Sequence, residues 1–157
     1  MKRTSLERDA CPIARSLDAI GDWWSLLIIR DAFLGVRRFS EFQKSLGLAR
    51  NILTVRLRAL VEHGILATAP ASDGSAYREY VLTPKGRGLF PILVALRQWT
   101  EEFDPRPDEI ATCLVDRTTG RPVKKLALHA EDGRLLGASD TDLKPRPGFK
   151  RAREALL

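Results

Sequence analysis

Apolar residues recur at helical spacing through most of the first hundred positions, and shorter alternating stretches follow them. Spacings of three and four residues place side chains on one face of a helix, whereas alternation is typical of a strand. The pattern predicts helices over 12–20, 23–35, 40–46, 50–63 and 84–103. It predicts strands over 65–69, 77–82, 111–115, 123–129 and 134–138. We therefore expect an α+β fold with a small β region at the C-terminal end.

The first two predicted helices differ in how their apolar residues are distributed. Cys11-Pro12 opens the first helix, because proline is favoured at the first helical position. Its predicted buried stripe consists of Ile13, Leu17 and Ile20. Asp22 caps the second helix, which is apolar nearly all round and should lie inside the fold. Its apolar residues, expected in the core or at a subunit interface, include Trp23, Trp24, Leu27 and Ile28.

A tight turn joins the third and fourth predicted helices. Ser40 and Gln43 match a capping box, in which each side chain satisfies a free backbone N–H group. Gly47 stands where a helix C-terminus favours a left-handed residue, and Gly64 ends the fourth helix. The apolar face of the fourth helix should lie against the core and consists of Leu53, Leu57, Leu60 and Val61.

The opposite face of the fourth helix, 50–63, carries residue types that bind DNA bases in the major groove. Arg can bind guanine through two hydrogen bonds, Asn can bind adenine, and a methyl-bearing side chain can contact thymine. An ordinary amphipathic helix with a solvated polar face would show the same separation of apolar and polar residues. The side chains on this face are Arg50, Asn51, Thr54, Val55 and Arg58.

The next two strands complete the element order of a winged helix, namely helix, helix and hairpin. The loop 70–76 would be the wing, with Ser75 and Arg78 within reach of the phosphate backbone. Arg37 and Arg38 immediately precede the third helix, and helix N-termini readily hold phosphates. A solvated pair of charges is equally consistent with that dipeptide.

The helix predicted over 84–103 begins at Thr83-Pro84 and is expected to bend at Pro91. A continuous apolar stripe in so small a domain indicates packing on the first helix or pairing with a second subunit. Because helix-turn-helix proteins usually recognise paired half-sites, we expect a homodimer. The stripe consists of Leu89, Ile92, Leu93, Leu96, Trp99 and Phe103.

Pro105-Arg106-Pro107 marks a boundary. We expect a winged-helix DNA-binding and dimerisation domain over 1–104 and a C-terminal extension over 105–157. The extension should form a β-meander with turns at Gly120 and Gly133, too small to be stable unless it packs on the main domain. Its end is interpreted as a solubilising tail in preference to a DNA-binding one, and carries Lys144, Arg146, Lys150, Arg151 and Arg153.

Composition and charge agree with a DNA-binding protein. Apolar residues make up 44% of the chain, and 26 Lys and Arg outnumber 20 Asp and Glu, for a net charge of +6 and a pI near 9.7. Such a balance favours a polyanionic partner. The chain contains no run of about 18 apolar residues, no apolar signal-peptide core and only two cysteines. A soluble cytoplasmic protein without a membrane span is expected.

The sequence carries no recognisable catalytic motif. The only histidines are His63 and His129, and a nucleophile elbow, a His-x-x-His motif and a glycine-rich phosphate loop are all missing. We therefore expect a protein that is not an enzyme and needs no cofactor. The alternative to a DNA-binding regulator is a winged helix that assembles proteins, which would not be expected to present outward Arg and Asn.

Several linked motifs over residues 10–103 resemble the HxlR-type regulators, bacterial winged-helix transcription factors related to the MarR group. The resemblance implies a cytoplasmic homodimeric repressor or activator with its two recognition helices in successive major grooves of double-stranded DNA. The matching motifs are Cys11-Pro12, IGDWWSLLIIR at 20–30, RRFSEF at 37–42, LTVRLR at 53–58, GIL at 64–66 and YVLTPKG at 80–86.

The resemblance also assigns roles to individual residues. Arg56 matches a usual arginine of the family, and two directions stay open for it, toward DNA or toward a buried carboxylate. The implied DNA-facing residues are Arg37, Arg38, Ser40, Arg50, Asn51, Thr54, Arg58, Ser75 and Arg78. The first and last long helices should form the dimer interface through Ile13, Leu17, Trp23, Leu93, Leu96 and Trp99.

This chain departs from the family pattern in two places. Many relatives begin the recognition helix with Ser-Pro or Thr-Pro, whereas Ala49-Arg50 stands here, and loss of a hydroxyl cap costs about 1 kcal/mol. Some longer relatives carry two Cys-x-x-Cys pairs in the extension, which this chain lacks. His129 and Asp132 would supply only two ligands, so we expect no metal.

Cys11 is the candidate redox sensor. Some family members sense oxidants or electrophiles through a matching cysteine, and a helix N-terminus favours the thiolate. The competing interpretation is a small apolar residue that closes a helix interface. A small-molecule effector is the other candidate signal, with a pocket between the winged helix and the extension as its expected site.

Overall fold

The computed structural model describes residues 5–106 and 112–144, which fall into two compact units. The first unit comprises residues 5–90, and the second comprises residues 91–106 and 112–144. The first unit contains α1 (Pro12–Ile20), α2 (Trp23–Phe33), α3 (Phe39–Leu46), α4 (Arg50–Glu62), β1 (Leu66–Pro70), β2 (Arg78–Leu82) and α5 (Pro84–Arg87). The second contains most of α6 (Phe90–Phe103), then β3 (Leu128–His129), β4 (Leu135–Leu136) and a 3-10 turn over Ala138–Asp140. The expected functional boundary near residue 105 stays a prediction.

The first unit is a winged helix, which confirms the predicted fold class. α3 and α4 are joined by a short turn at Gly47, whose φ of 62° is the left-handed conformation predicted for that position. β1 and β2 pair antiparallel in a register that runs from Leu66 opposite Leu82 to Pro70 opposite Arg78. The hairpin therefore extends the helix-turn-helix with a wing, in the predicted order.

The core of this unit is built from the faces of α2, α3 and α4 that the hydrophobic pattern marks. The buried face of α4 is the predicted one, apart from Val61, which is only half-buried. Burying a Leu or Ile side chain contributes roughly 1.5–3 kcal/mol, so this face fixes how α4 is rotated. The fully buried side chains include Ile28, Ile29, Phe42, Leu53, Leu57 and Leu60.

Two helix starts match the sequence predictions and a third does not. Asp22 caps α2 by accepting a hydrogen bond from the Ser25 N–H group at 3.0 Å, as predicted. α4 begins after Ala49, whose methyl group cannot accept a hydrogen bond, in line with the predicted loss of a cap. The prediction of a Ser40–Gln43 capping box is wrong. α3 starts at Phe39, and the Glu41 carboxylate accepts the backbone N–H groups of Arg37 and Arg38 instead.

The predicted burial of α1 and α2 is only partly correct. Ile20 is buried, but Ile13 and Leu17 are exposed in the single chain. In α2, Ile28 and Ile29 are buried while Trp23 is 75% exposed. An apolar stripe indicates that a face will be covered without specifying whether the same chain covers it, which is why the pattern overstated the burial here.

The helix predicted over 84–103 is two helices. Thr83 caps α5 as predicted, by accepting a hydrogen bond from the Gly86 N–H group at 3.0 Å. α5 ends at Arg87 and α6 begins at Phe90, so Pro91 does not bend a continuous helix. The reason is that Pro91 has no N–H group to bond the carbonyl of Arg87, and proline is tolerated in the first turn of a new helix.

The predicted three-stranded β-meander is also wrong in detail. Within 112–144 the ordered pairing is limited to β3 with β4 and a single bridge between Val115 and Pro122, next to the predicted turns at Gly120 and Gly133. Most side chains in this range are exposed, so little packed surface supports longer ladders. Residue 111, where the first predicted strand begins, lies outside the described residues.

α6 holds the extension through polar side chains. The Gln98 amide donates to the Lys124 carbonyl at 3.3 Å and accepts the Leu126 N–H group at 2.8 Å. Arg97 binds the Thr112 carbonyl and hydroxyl, and Lys125 pairs with Glu102. These contacts give the extension the support on a helix that its small size requires.

The predicted basic tail falls mostly beyond the part of the chain that the structure describes. Lys144 is the last described residue, whereas Arg146, Lys150, Arg151 and Arg153 lie outside the described range. Within that range, no helix has the length and apolar character needed to cross a bilayer.

Candidate nucleic-acid interface

The solvent-facing side of α4 is the best-formed candidate site. The five side chains predicted to face outward are all exposed. Together they line one shallow, open depression on the first unit. Because Leu53 and Leu57 on the opposite side are buried, the helix cannot rotate to hide this face. The residues of the depression are Arg50, Asn51, Thr54, Val55 and Arg58.

Two contacts position the N-terminal turn of α4. The guanidinium carbon of Arg50 lies 5.8 Å from the centre of the Phe39 ring, a cation–π contact with the first residue of α3. The Thr54 hydroxyl donates to the Arg50 carbonyl at 2.8 Å, which commits its hydrogen and leaves its oxygen lone pairs as acceptors. Arg58 has neither kind of contact and extends from the next turn of the same exposed face.

The ion-pair partner of Arg56 shows which way its side chain points. Its Nε lies 3.3 Å from Oδ1 of Asp22, the carboxylate that caps α2. Of the two directions left open by the sequence, the structure therefore has the one toward a carboxylate. Arg56 ties α4 to the start of α2.

The side chains of Arg37 and Arg38 form ion pairs with carboxylates of the β1–β2 hairpin. Nη1 of Arg37 lies 3.5 Å from Oε2 of Glu79, and Nε of Arg38 lies 3.8 Å from Oε1 of the same carboxylate. Arg38 also forms an ion pair with Asp73, and its guanidinium lies 5.9 Å from the Tyr77 ring centre. The two arginines predicted to contact phosphate are thus paired with the carboxylates of Asp73 in the wing and Glu79 on β2.

Glu79 is a site residue that the sequence analysis missed. It is only 3% exposed, and its Oε1 accepts hydrogen bonds from the Ser72 N–H group at 3.1 Å and the Ser72 hydroxyl at 2.9 Å. The Ser72 N–H group, with help from Arg37, lowers the pKa of Glu79 below its ordinary value. The signal in the sequence was an acidic residue within the alternating strand 77–82 of a chain that has an Arg-Arg pair at 37–38.

Asp73 forms the tip of the wing. Its Oδ1 accepts the Ser75 N–H group at 3.0 Å. Hydrogen bonds from Ser75 and Arg38 lower the pKa of Asp73 far below its ordinary value. Ser75 itself is half-buried, a less accessible position than a predicted DNA contact requires.

The remaining predicted DNA-facing residues are exposed. Ser40 lies in the first turn of α3. Arg78 is on β2, where its guanidinium donates to the Thr68 hydroxyl at 3.0 Å on the neighbouring strand. That contact orients the Arg78 side chain along the wing.

The other predicted sites belong to segments of the chain outside α3, α4 and the wing. Cys11 is half-buried at the N-cap of α1, its backbone N–H group donates to Asp9 Oδ1 at 2.8 Å, and Cys113 is exposed. Within 5–106 and 112–144, no three metal-binding side chains cluster. Of the predicted dimer residues, Leu93 is half-buried and the exposed ones are Ile13, Leu17, Trp23, Leu96 and Trp99.

A helix-turn-helix, an antiparallel wing and an exposed helix face with Arg, Asn and Thr side chains define a DNA-binding transcriptional regulator of the winged-helix class. The model of the HxlR-like helix-turn-helix family matches residues 19–108. An uncharacterized HTH-type transcriptional regulator of Mycobacterium tuberculosis, Rv3095, is 39% identical over 138 residues, which cover 88% of this chain and 87% of the relative. The protein belongs to the HxlR-like family, as its motifs suggested.

Solved structures agree with this assignment. PA1607, described as a candidate transcription factor, is 56% identical with a TM-score of 0.85, covering 91% of this chain and 100% of that one. The redox regulator HypR in its oxidized form is 33% identical with a TM-score of 0.53. The match covers 95% of HypR but 58% of this chain, so a large part of this chain has no counterpart there.

Proposed function

We propose that this protein is a homodimeric, sequence-specific DNA-binding regulator that inserts α4 into the major groove and lays its wing, residues 70–78, on the phosphate backbone. The observation that carries the proposal is the exposed face of α4, on which Arg50, Asn51 and Arg58 project from a helix fixed by buried leucines. Arg and Asn are the side chains that pair with guanine and adenine through two hydrogen bonds.

The homodimer is supported by large apolar side chains that are exposed on the single chain. On α1 and the start of α2, Ile13, Leu17 and Trp23 are exposed, and on α6 Leu96 and Trp99 are exposed. Exposed apolar clusters of this kind mark protein–protein interfaces. Two α4 helices related by a two-fold axis would contact half-sites about one helical turn of DNA apart.

The signal that controls the regulator is proposed to be an oxidant or a small molecule. HypR, a redox regulator, is similar to this chain, and Cys11 occupies the N-cap of α1. A small molecule could instead use a cavity of about 310 Å³ in the first unit, lined by Pro12, Arg15, Ser16, Ala19, Ile20, Ile65, Lys85 and Leu89. Both hypotheses rest on the proposed DNA-binding function.

Selection of bound duplexes from a random pool tests the proposal. We expect enrichment of an inverted repeat whose half-site centres are about 10–10.5 base pairs apart. A pool that shows no enriched sequence would contradict sequence-specific binding and would favour the alternative, a winged helix that assembles proteins.

A further inference from the structure

Four charged side chains pair with one another between the start of α3 and the β1–β2 hairpin. Arg37 and Arg38 supply two positive charges, and Asp73 and Glu79 supply two negative ones. We call this set the wing latch. The Arg-Arg pair that the family resemblance assigns to DNA is therefore already paired with carboxylates in the free protein.

The two carboxylates of the wing latch differ in how firmly they are held. Glu79 has a side chain that is 4% exposed and is bonded to both the backbone and the hydroxyl of Ser72. Asp73 has a side chain that is 53% exposed at the tip of the wing. A group from outside can therefore replace Asp73 at Arg38 without disturbing Glu79.

A DNA phosphate has the chemistry to make that replacement. Carboxylates and phosphates both bind the planar guanidinium fork through paired charge-assisted hydrogen bonds. Arg38 has two contacts that do not involve Asp73 and that an exchange would leave in place: Glu79 Oε1 lies 3.8 Å from its Nε, and the Tyr77 ring centre lies 5.9 Å from its guanidinium carbon.

We propose that Asp73 occupies, in the free protein, the place on Arg38 that a backbone phosphate takes in the DNA complex. This inference rests on the proposed DNA-binding function. Asp73 then lowers affinity for every duplex, since each binding event must first break the Arg38–Asp73 pair. Arg38 becomes a phosphate-binding residue only when the wing reaches the backbone.

The test is fluorescence-anisotropy titration of Asp73→Asn against the selected duplex and a scrambled duplex at several salt concentrations. Asn keeps an oxygen that can accept the Ser75 N–H group, so the turn is retained. We expect affinity for both duplexes to rise roughly two- to fivefold, the scale of an exposed ion pair. The dependence of log K on log salt should steepen by up to about 0.9.

Asp116→Asn is the matched control. Asp116 accepts the Thr118 N–H group at 2.9 Å in the same local turn pattern, but its other oxygen binds the Thr119 hydroxyl instead of an arginine. This variant changes the net charge equally and should alter affinity much less. In an Arg38→Ala background, Asp73→Asn should then raise DNA affinity no more than Asp116→Asn does.

Three outcomes contradict the inference. Asp73→Asn could weaken binding, which would make Asp73 a structural clamp of the wing. Asp73→Asn could change affinity no more than Asp116→Asn does, which would leave only a general charge effect. It could also raise affinity equally in the Arg38→Ala background, which would show that Arg38 is not involved. A wild-type protein that binds both duplexes weakly and equally would instead overturn the proposed function, and this inference with it.

Discussion

At the residue scale, Asp22 connects two elements with one carboxylate. It caps α2 through the Ser25 N–H group and pairs with Arg56 of α4 at 3.3 Å. We expect Asp22→Ala to lower the free energy of unfolding by about 1–2 kcal/mol, mainly through loss of the cap. Asp22→Asn keeps an acceptor oxygen and should cost less. Urea unfolding measures both, and equal losses in the two variants would show that the charge, not the cap, matters.

Cys11 allows a second residue-scale test. If its thiol senses oxidants, diamide should release DNA from the wild type and from Cys113→Ser but not from Cys11→Ser. The matched control works because Cys113 is the other cysteine of the chain and is exposed. Diamide release that is unchanged in Cys11→Ser would instead favour the interpretation of Cys11 as a small apolar residue at a helix interface.

The residues of the candidate site were predictable where one helix displays them together. The outward side chains of α4 follow from the spacing of Leu53, Leu57 and Leu60 alone. Glu79 was not predictable in the same way, since its partner Arg37 belongs to a distant segment of the chain. A contact between distant segments leaves no periodic signal in the sequence.

At the element scale, Gly86 fixes how closely α5 approaches Ile65, the residue before β1. A Cβ atom added there would lie 2.2 Å from the Ile65 carbonyl oxygen. We expect Gly86→Ala to lower the free energy of unfolding by roughly 1–3 kcal/mol. Gly88→Ala is the milder comparison, because its Cβ would lie 3.2 Å from the Lys85 carbonyl oxygen and needs only a small shift. Equal thermal unfolding of the two variants would contradict the close approach.

Elements with a strong local pattern were predicted well, and those that depend on competing local rules were not. α4 and the β1–β2 hairpin occur close to the predicted ranges. The break before α6 was misjudged, because the apolar stripe runs across Pro91 and masks the lost hydrogen bond. The prediction of three strands in the extension failed for a different reason. The alternating residues near Gly120 and Gly133 have too little packed surface to pair over longer ranges.

At the scale of the whole molecule, the proposed dimer predicts a definite mass. The wild type should elute with twice the 17.6 kDa mass of the chain, measured by light scattering after size exclusion. Leu96→Asp places a charge on an exposed apolar position of α6 and should yield a monomer that loses specific DNA binding. Leu143→Asp, at an exposed leucine outside the proposed interface, should remain dimeric. A monomeric wild type would contradict the dimer.

The central claim is that α4 binds bases, and Arg58→Ala tests it most directly. The measurement is anisotropy of the selected duplex and of the same duplex with its half-sites altered, titrated with salt. We predict that Arg58→Ala costs about 1–3 kcal/mol of binding free energy on the selected duplex and reduces discrimination between the two.

Arg87→Ala, which removes the same charge from an exposed position on α5, is predicted to change binding little and to leave discrimination intact. Equal, small losses from Arg58→Ala and Arg87→Ala on both duplexes would contradict the account. In that case the positive charge of the protein would attract DNA, but the exposed face of α4 would not recognise its sequence.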